Sequence, residues 1–122
     1  MKETDNWKTP EWLMRLFDSD CWIDRTPIDY TKDCLISEWN DDRRYNYLNP
    51  PYSNPLPFIL KGIEQHKKHG ITVAFLLKLD TSTKWYRELV SADAHFIYVG
   101  ERLHYSDKDS APFPSTIAIL SE

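Results

Sequence analysis

The sequence predicts an α/β protein built on a mostly parallel β-sheet, and three observations carry that expectation. Short apolar segments alternate along the chain with segments of helical periodicity. Residues 71–77 are apolar apart from Thr72, the mark of a strand buried on both faces. Asp24, Asn49 and Lys78-Leu79-Asp80 each fall where a strand should end. A parallel sheet would gather them along its carboxyl edge, where such sheets bind ligands.

The elements follow in order. Thr9, Pro10 and Glu11 read as a helix start, with a hydroxyl cap, a proline at the first helical position and an acid in the first turn. Trp12, Leu13, Leu16 and Phe17 then form one apolar face. Residues 21–24 make a short apolar strand ending in Asp24, and residues 25–38, with Pro27, Asp29 and Asp33, read as a loop with little regular structure. A strand at 45–48 leads into a Pro-rich loop at 49–57. The next helix runs through Phe58, Ile59, Ile63 and Gln65 and stops at Gly70. After the strand at 71–77, a helix at 83–90 buries Trp85, Leu89 and Val90, and strands at 95–99 and 116–120 flank a long segment. With no repeats and no Gly- or Ser-rich linker, residues 1–122 are expected to form a single domain.

Asn49-Pro50-Pro51-Tyr52, followed by Ser53, directly succeeds the strand at 45–48. This tetrapeptide resembles the motif with which known methyltransferases modify an amino group conjugated to a ring or carbonyl. Such a nitrogen is a poor nucleophile because its lone pair is delocalised, so it must be held by its hydrogens while the pair moves toward an electrophilic methyl. The Asn49 amide oxygen is one acceptor and the Pro50 carbonyl the second, and the two prolines stiffen the loop so that both are aimed in advance. Tyr52 offers a flat face for a base taken out of its stack. A rigid turn closing the strand is the structural alternative, since Asn-Pro pairs also begin turns.

The wider pattern favours chemistry. Trp7-Lys8-Thr9-Pro10, Trp22-Ile23-Asp24, Asn49-Pro50-Pro51-Tyr52-Ser53, the run from Leu76-Leu77-Lys78 through Asp80 to Trp85, Gly100-Glu101-Arg102-Leu103 and Ala111-Pro112-Phe113-Pro114-Ser115 occur in an order that resembles the phage-type DNA N-6-adenine methyltransferases, over residues 7–120. The resemblance implies a reduced Rossmann-like methyltransferase fold with an antiparallel last strand, S-adenosyl-L-methionine as cofactor, and DNA as the partner that is methylated at adenine. Only 20 residues separate Asp24 from Tyr45, so strands usual between them should be missing or reduced. The catalytic set implied is Asn49, Pro50, Pro51 and Tyr52. Tyr52, Ser53, Arg102 and Tyr105 would meet the substrate.

For the cofactor, the implied residues are Trp7, Thr9, Pro10, Asp24, Asp33 and Asn49. Asp24 suits the cationic amino or sulfonium region, and the helix start at Thr9-Pro10 can receive the carboxylate. Thr9 as a plain helix cap and Trp7 as a packing residue are the structural alternatives. Asp29, Asp33 and Glu38 compete for the ribose hydroxyls, with Asp33 ahead because an apolar stretch follows it. One departure is marked: only Gly62, Gly70 and Gly100 occur in the chain, so no glycine-rich turn follows the first strand. Arg25-Thr26-Pro27 stands there, where some relatives resemble Asp-Pro-Cys-Pro.

Composition bounds these readings. A chain of 122 residues can bury a core but is small for an enzyme holding both cofactor and nucleic acid, so economy of structure or a homo-oligomer is expected. A hydrophobic fraction of 41% indicates a folded globule, and five Trp and seven Tyr suit stacking surfaces as well as a core. The net charge of -4 argues against a generic charge-driven binder of nucleic acid, so DNA contacts should be local. Arg43-Arg44, Lys67-Lys68 with His66 and His69, and Arg102 with His104 are the candidates, and Lys67-Lys68 suits a solvated helix C-terminus. Cys21 and Cys34 have no metal-ligand spacing and read as small buried thiols in a reducing cytoplasm. No metal site is expected. No membrane-spanning run or signal-peptide core is evident, which places the expected site of action in the host-cell cytoplasm. Two rival functions remain: a DNA-binding module of the same fold that has lost catalysis, favoured by the glycine-free turn, and a methyltransferase acting on a protein glutamine amide.

Overall fold

A computed structural model of the chain describes residues 22–27, 33–39, 45–98 and 114–121. Its elements are β1 (Trp22–Asp24), β2 (Tyr45–Leu48), α1 (Leu56–His69), β3 (Thr72–Lys78), α2 (Lys84–Ser91), β4 (His95–Tyr98) and β5 (Ser115–Leu120). The strands form one five-stranded sheet in the order β1-β2-β3-β5-β4. β1, β2 and β3 are mutually parallel, with Asp24 opposite Tyr47 and Leu48 opposite Phe75. β5 is antiparallel to both of its neighbours, β3 and β4. The α/β class, the parallel first strands and the antiparallel last strand agree with the sequence expectation.

This topology sets the site. The carboxyl ends of β1, β2 and β3 lie along one edge, and because β5 runs the other way its amino end joins them, with Lys78 directly opposite Ser115. Leu79 continues the pairing by donating its N–H to the Pro114 carbonyl at 2.9 Å.

Residues 73–77 of β3 are buried on both faces, as their unbroken apolar sequence requires. On one face Val73, Phe75 and Leu77 pack with Phe58, Ile59 and Ile63 of α1 and with Trp85 and Leu89 of α2. On the other, Ala74 and Leu76 join Tyr47 and Ile117. Full burial of each large apolar side chain is worth roughly 1.5–3 kcal/mol, so β3 is the principal anchor of the sheet. Gly62 permits the close approach of α1, because a Cβ there would overlap the Phe75 ring.

Several boundaries move for physical reasons. β1 begins at Trp22, and Cys21 and the helix expected from Thr9 lie outside the described residues. α1 begins at Leu56, so Pro57 belongs to its first turn and not to the loop. A proline is tolerated there because the first helical N–H groups have no intrahelical acceptor. Within 25–38, residues 33–35 form a single 3-10 turn. Val90 is 52% exposed: Trp85 and Leu89 are spaced four apart and define the inner face of α2, and Val90 is rotated off it.

α1 ends at Gly70 in the left-handed region with φ 66°, as its glycine foretold. α2 ends without glycine. Asp93 adopts φ 61°, donating its N–H to the Val90 carbonyl at 3.0 Å, while Ala94 donates to Leu89 at 3.0 Å. This is a Schellman closure built on an aspartate.

Candidate active site

The chain leaves β2 at Leu48, fully buried, and enters Asn49-Pro50-Pro51-Tyr52 at the sheet's carboxyl edge. Asn49 is half-buried and Pro50 buried. The Asn54 N–H donates to the Pro51 carbonyl at 3.2 Å, which closes a turn and sets Tyr52 and Ser53 at its two central positions. The tetrapeptide therefore runs into a hydrogen-bonded turn, Pro51–Asn54. Proline rigidity holds the entry, and the hydrogen-bonded turn holds the exit.

Asp24 ends β1 beside this loop. Its Oδ1 accepts the Thr26 N–H at 2.8 Å and lies 3.3 Å from the Thr26 hydroxyl, which donates to it. Thr26 Oγ1 in turn accepts the Asn49 N–H at 2.7 Å. A continuous path, Asp24 to Thr26 to Asn49, thus joins the ends of two strands. Although its outer edge meets solvent, Asp24 sits among enough protein to be desolvated, which pushes its carboxyl above the ordinary value; the two Thr26 bonds oppose this less strongly.

The glycine-free turn is closed by side chains. The Arg25 N–H donates to the Tyr47 carbonyl at 2.8 Å, extending the parallel pairing by one residue. Arg25 Nε donates to Oδ1 of the fully buried Asn46 at 2.8 Å, and the guanidinium lies 5.4 Å from the Trp39 ring centroid. Asn46 Nδ2 passes the connection to the Thr72 carbonyl at 3.3 Å. Arg25 therefore fastens β1 to β2 and to the loop bearing Trp39, a task that needs a long planar cation and not a glycine.

A cavity of about 160 Å³ opens at this turn, lined by Ile23, Asp24, Arg25, Asp33, Cys34 and Ser37 among others. Asp24 and Asp33, singled out separately in the sequence, share its wall. Both carboxylates therefore border the same open cleft at the end of β1. Small-molecule sites usually enclose about 300 Å³ or more, so this cavity alone is smaller than such a site. Burial raises the Cys34 thiol to about 11, with Arg25 opposing, so Cys34 is a neutral packing residue in the cavity wall. Among the described residues no cluster of three or more His, Cys, Asp or Glu could hold a metal ion, and no helix is long and apolar enough to cross a membrane.

Glu38 is engaged elsewhere. It pairs with Lys68, His69 and Lys61 and accepts from Gln65 at 3.2 Å. The Lys68 ammonium, above all, holds its carboxyl down at about 2. The exposed Lys67 and Lys68 thus sit on a solvated helix end, Lys68 already in an ion pair. At the end of β3, Asp80 accepts from the Ser82 hydroxyl at 2.6 Å and from its N–H at 3.1 Å, which lowers its pKa, while Thr83 caps α2 by accepting the Tyr86 N–H at 3.3 Å. The segment is a helix-initiating turn facing the site edge.

Trp7, Thr9, Pro10, Arg102 and Tyr105 lie outside the described residues. Thr26, Asn46 and Ser115 are among the buried polar residues to which the sequence reading assigned no role. Thr26 could have been found from its position two residues after an aspartate, the spacing at which a carboxylate accepts the backbone N–H. Ser115 is fully buried at the amino end of β5, and its hydroxyl finds no hydrogen-bond partner among the described residues.

A family model described as DNA N-6-adenine-methyltransferase (Dam) matches residues 25–115. A DNA N-6-adenine-methyltransferase of Haemophilus phage HP1 (strain HP1c1) is 35% identical over 111 residues, covering 80% of this chain and 63% of that protein. One from Escherichia phage T1 is 37% identical over 64 residues, covering 52% of this chain and 26% of that protein. The chain thus spans less than two thirds of the length of either relative. No solved structure matches. The matched residues include the Arg25-Thr26 turn, the Asn49-Pro50-Pro51-Tyr52 loop and the edge at Ser115, and the chain belongs to the DNA N-6-adenine-methyltransferase family.

Proposed function

We propose that this chain transfers a methyl group from S-adenosylmethionine to the exocyclic amino group of adenine in DNA, on a Rossmann-like methyltransferase fold. The observation that carries the reading is the direct connection of Asp24, at the carboxylate-lined cleft, to Asn49, at the head of the Pro-Pro loop, through one buried threonine. Cofactor and acceptor residues so joined belong to one site.

Asp24 and Asp33 would hold the cofactor, which supplies a methyl group on a sulfonium. The Asn49 side-chain oxygen and the Pro50 carbonyl accept the two amino hydrogens of the base, drawing the nitrogen toward the geometry in which its lone pair can attack. Tyr52, at the tip of its turn, stacks on the extruded base. Ser53 follows it at the second central position and reaches toward the same nucleotide. Alignment of donor and acceptor accounts for much of the rate in such a displacement. The family membership supports DNA adenine over a protein amide.

The test is Asn49→Ala. It should lower methyl transfer to DNA about a hundredfold or more while leaving cofactor affinity nearly unchanged, because the lost acceptor acts on the amine. Wild-type turnover in that variant would remove Asn49 from the mechanism.

A further inference from the structure

Thr26 is 7% exposed and has two jobs at once. Its hydroxyl accepts the Asn49 N–H at 2.7 Å, and the same hydroxyl donates toward Asp24 Oδ1 at 3.3 Å. A threonine hydroxyl has a single proton, so its direction is fixed once that proton is given to the carboxylate and the lone pair is given to the amide. Asn49 is the first residue beyond the β2 register with β3, which ends at Leu48 opposite Phe75. Its N–H needs an acceptor, and Thr26 provides it from the neighbouring strand end. Arg25, one residue earlier, is locked to the Tyr47 carbonyl, so Thr26 cannot slide relative to β2. Thr26 Oγ1 can accept the Asn49 N–H fully only while its own proton is held by Asp24, so loss of that carboxylate frees the proton to turn toward the amide and loosens the hold on the Asn49 peptide.

We propose that Thr26 is the positioning residue that couples the two halves of the site: a cation engaged by Asp24 in the cleft sets, through the Thr26 hydroxyl, the orientation of the Asn49 peptide that presents the acceptor to the base. This rests on the methyltransferase reading above. Its consequence is that cofactor and DNA bind cooperatively, by an amount that Thr26 controls.

The test compares Thr26→Val, which keeps the shape and removes the hydroxyl, with Thr26→Ser, which keeps the hydroxyl. Three quantities are measured on the full chain: turnover on mixed-sequence DNA at saturating S-adenosylmethionine, the ratio of DNA dissociation constants without and with sinefungin, a non-reactive analogue that keeps a positive charge at both cationic positions of the cofactor, and hydrogen exchange at the Asn49 amide. In Thr26→Val turnover should fall about tenfold to a hundredfold, the range that a small misplacement of a reacting group produces. The DNA affinity ratio, at least about fivefold in the wild type, should collapse toward one. The Asn49 amide should exchange faster. Thr26→Ser should restore all three to within a few-fold, which a merely space-filling role would not require. Turnover and affinity ratio unchanged in Thr26→Val, or Thr26→Ser as impaired as Thr26→Val, would overturn the coupling. Unchanged Asn49 exchange in Thr26→Val overturns the clasp whatever the activity. A wild-type chain that transfers no methyl group to DNA overturns the methyltransferase reading and the coupling with it, and is distinguished by failing before any variant is made.

Discussion

Gln65 accepts the backbone N–H of Trp39 on its side-chain Oε1 at 2.8 Å, with both residues fully buried. Trp39 anchors the loop whose Asp33 and Cys34 line the cleft, and its indole donates to the Cys34 carbonyl at 3.0 Å. Gln65 belongs to α1, the helix that follows the Pro-Pro loop. The bond thus fixes one wall of the cleft to the helix that follows the Pro-Pro loop.

Gln65→Leu should therefore destabilise the protein by about 1–3 kcal/mol, because a buried N–H loses its acceptor while the replacement keeps the volume. Chemical denaturation reads this directly. A loss below the error of the measurement would mean that the Trp39 amide finds another acceptor.

Asp93→Gly should stabilise the fold by roughly 0.5–1 kcal/mol, since a non-glycine residue in the left-handed region carries a strain that glycine relieves. Thermal unfolding checks it. Destabilisation would show that the Asp93 side chain contributes more than its backbone costs.

These two positions also mark what the sequence could and could not reveal. The strands at Tyr45–Leu48 and along β3, the stop at Gly70 and the convergence of Asp24, Asn49 and Asp80 on one edge were legible, because apolar runs, proline and glycine act locally. Asp93 was not, because its left-handed conformation is imposed by closure of α2 and no glycine announces it. Arg25 looked like a defect in a glycine-dependent turn; its fastening to Asn46, 21 positions away, exists only once β1 and β2 are paired. The same holds for Thr26 and Asn49, which are 23 positions apart.

Cofactor affinity should depend on pH through Asp24. Desolvation raises its folded-state pKa above the ordinary carboxylate value, so the folded protein retains this proton to higher pH than the unfolded chain does. The charged carboxylate accordingly costs stability above its unfolded pKa, and that cost disappears as the pH falls and the group protonates. A cationic ligand binds the ionised form. Affinity for S-adenosylmethionine should thus weaken as the pH is lowered through the raised pKa, and Asp24→Asn should bind more weakly with a flat profile. Calorimetric titration over that range tests this, and the same slope in Asp24→Asn would assign the dependence to another group.

Tyr52 separates a nucleobase from a protein amide. If a flipped base stacks on it, Tyr52→Ala should weaken DNA binding by about 1–3 kcal/mol, whereas Tyr52→Phe and Tyr52→Trp should keep much of the activity. Methylation assays on the three variants decide, and a Phe variant as inactive as the Ala variant would overturn the stacking role.

The central claim is that this sheet edge methylates adenine in DNA. The purified chain is incubated with S-adenosylmethionine carrying a labelled methyl group and with mixed-sequence DNA, and the DNA is digested to nucleosides. The account predicts label in N6-methyladenine, abolished by Asn49→Ala. Label confined to cytosine or to protein, or absent altogether, would contradict it.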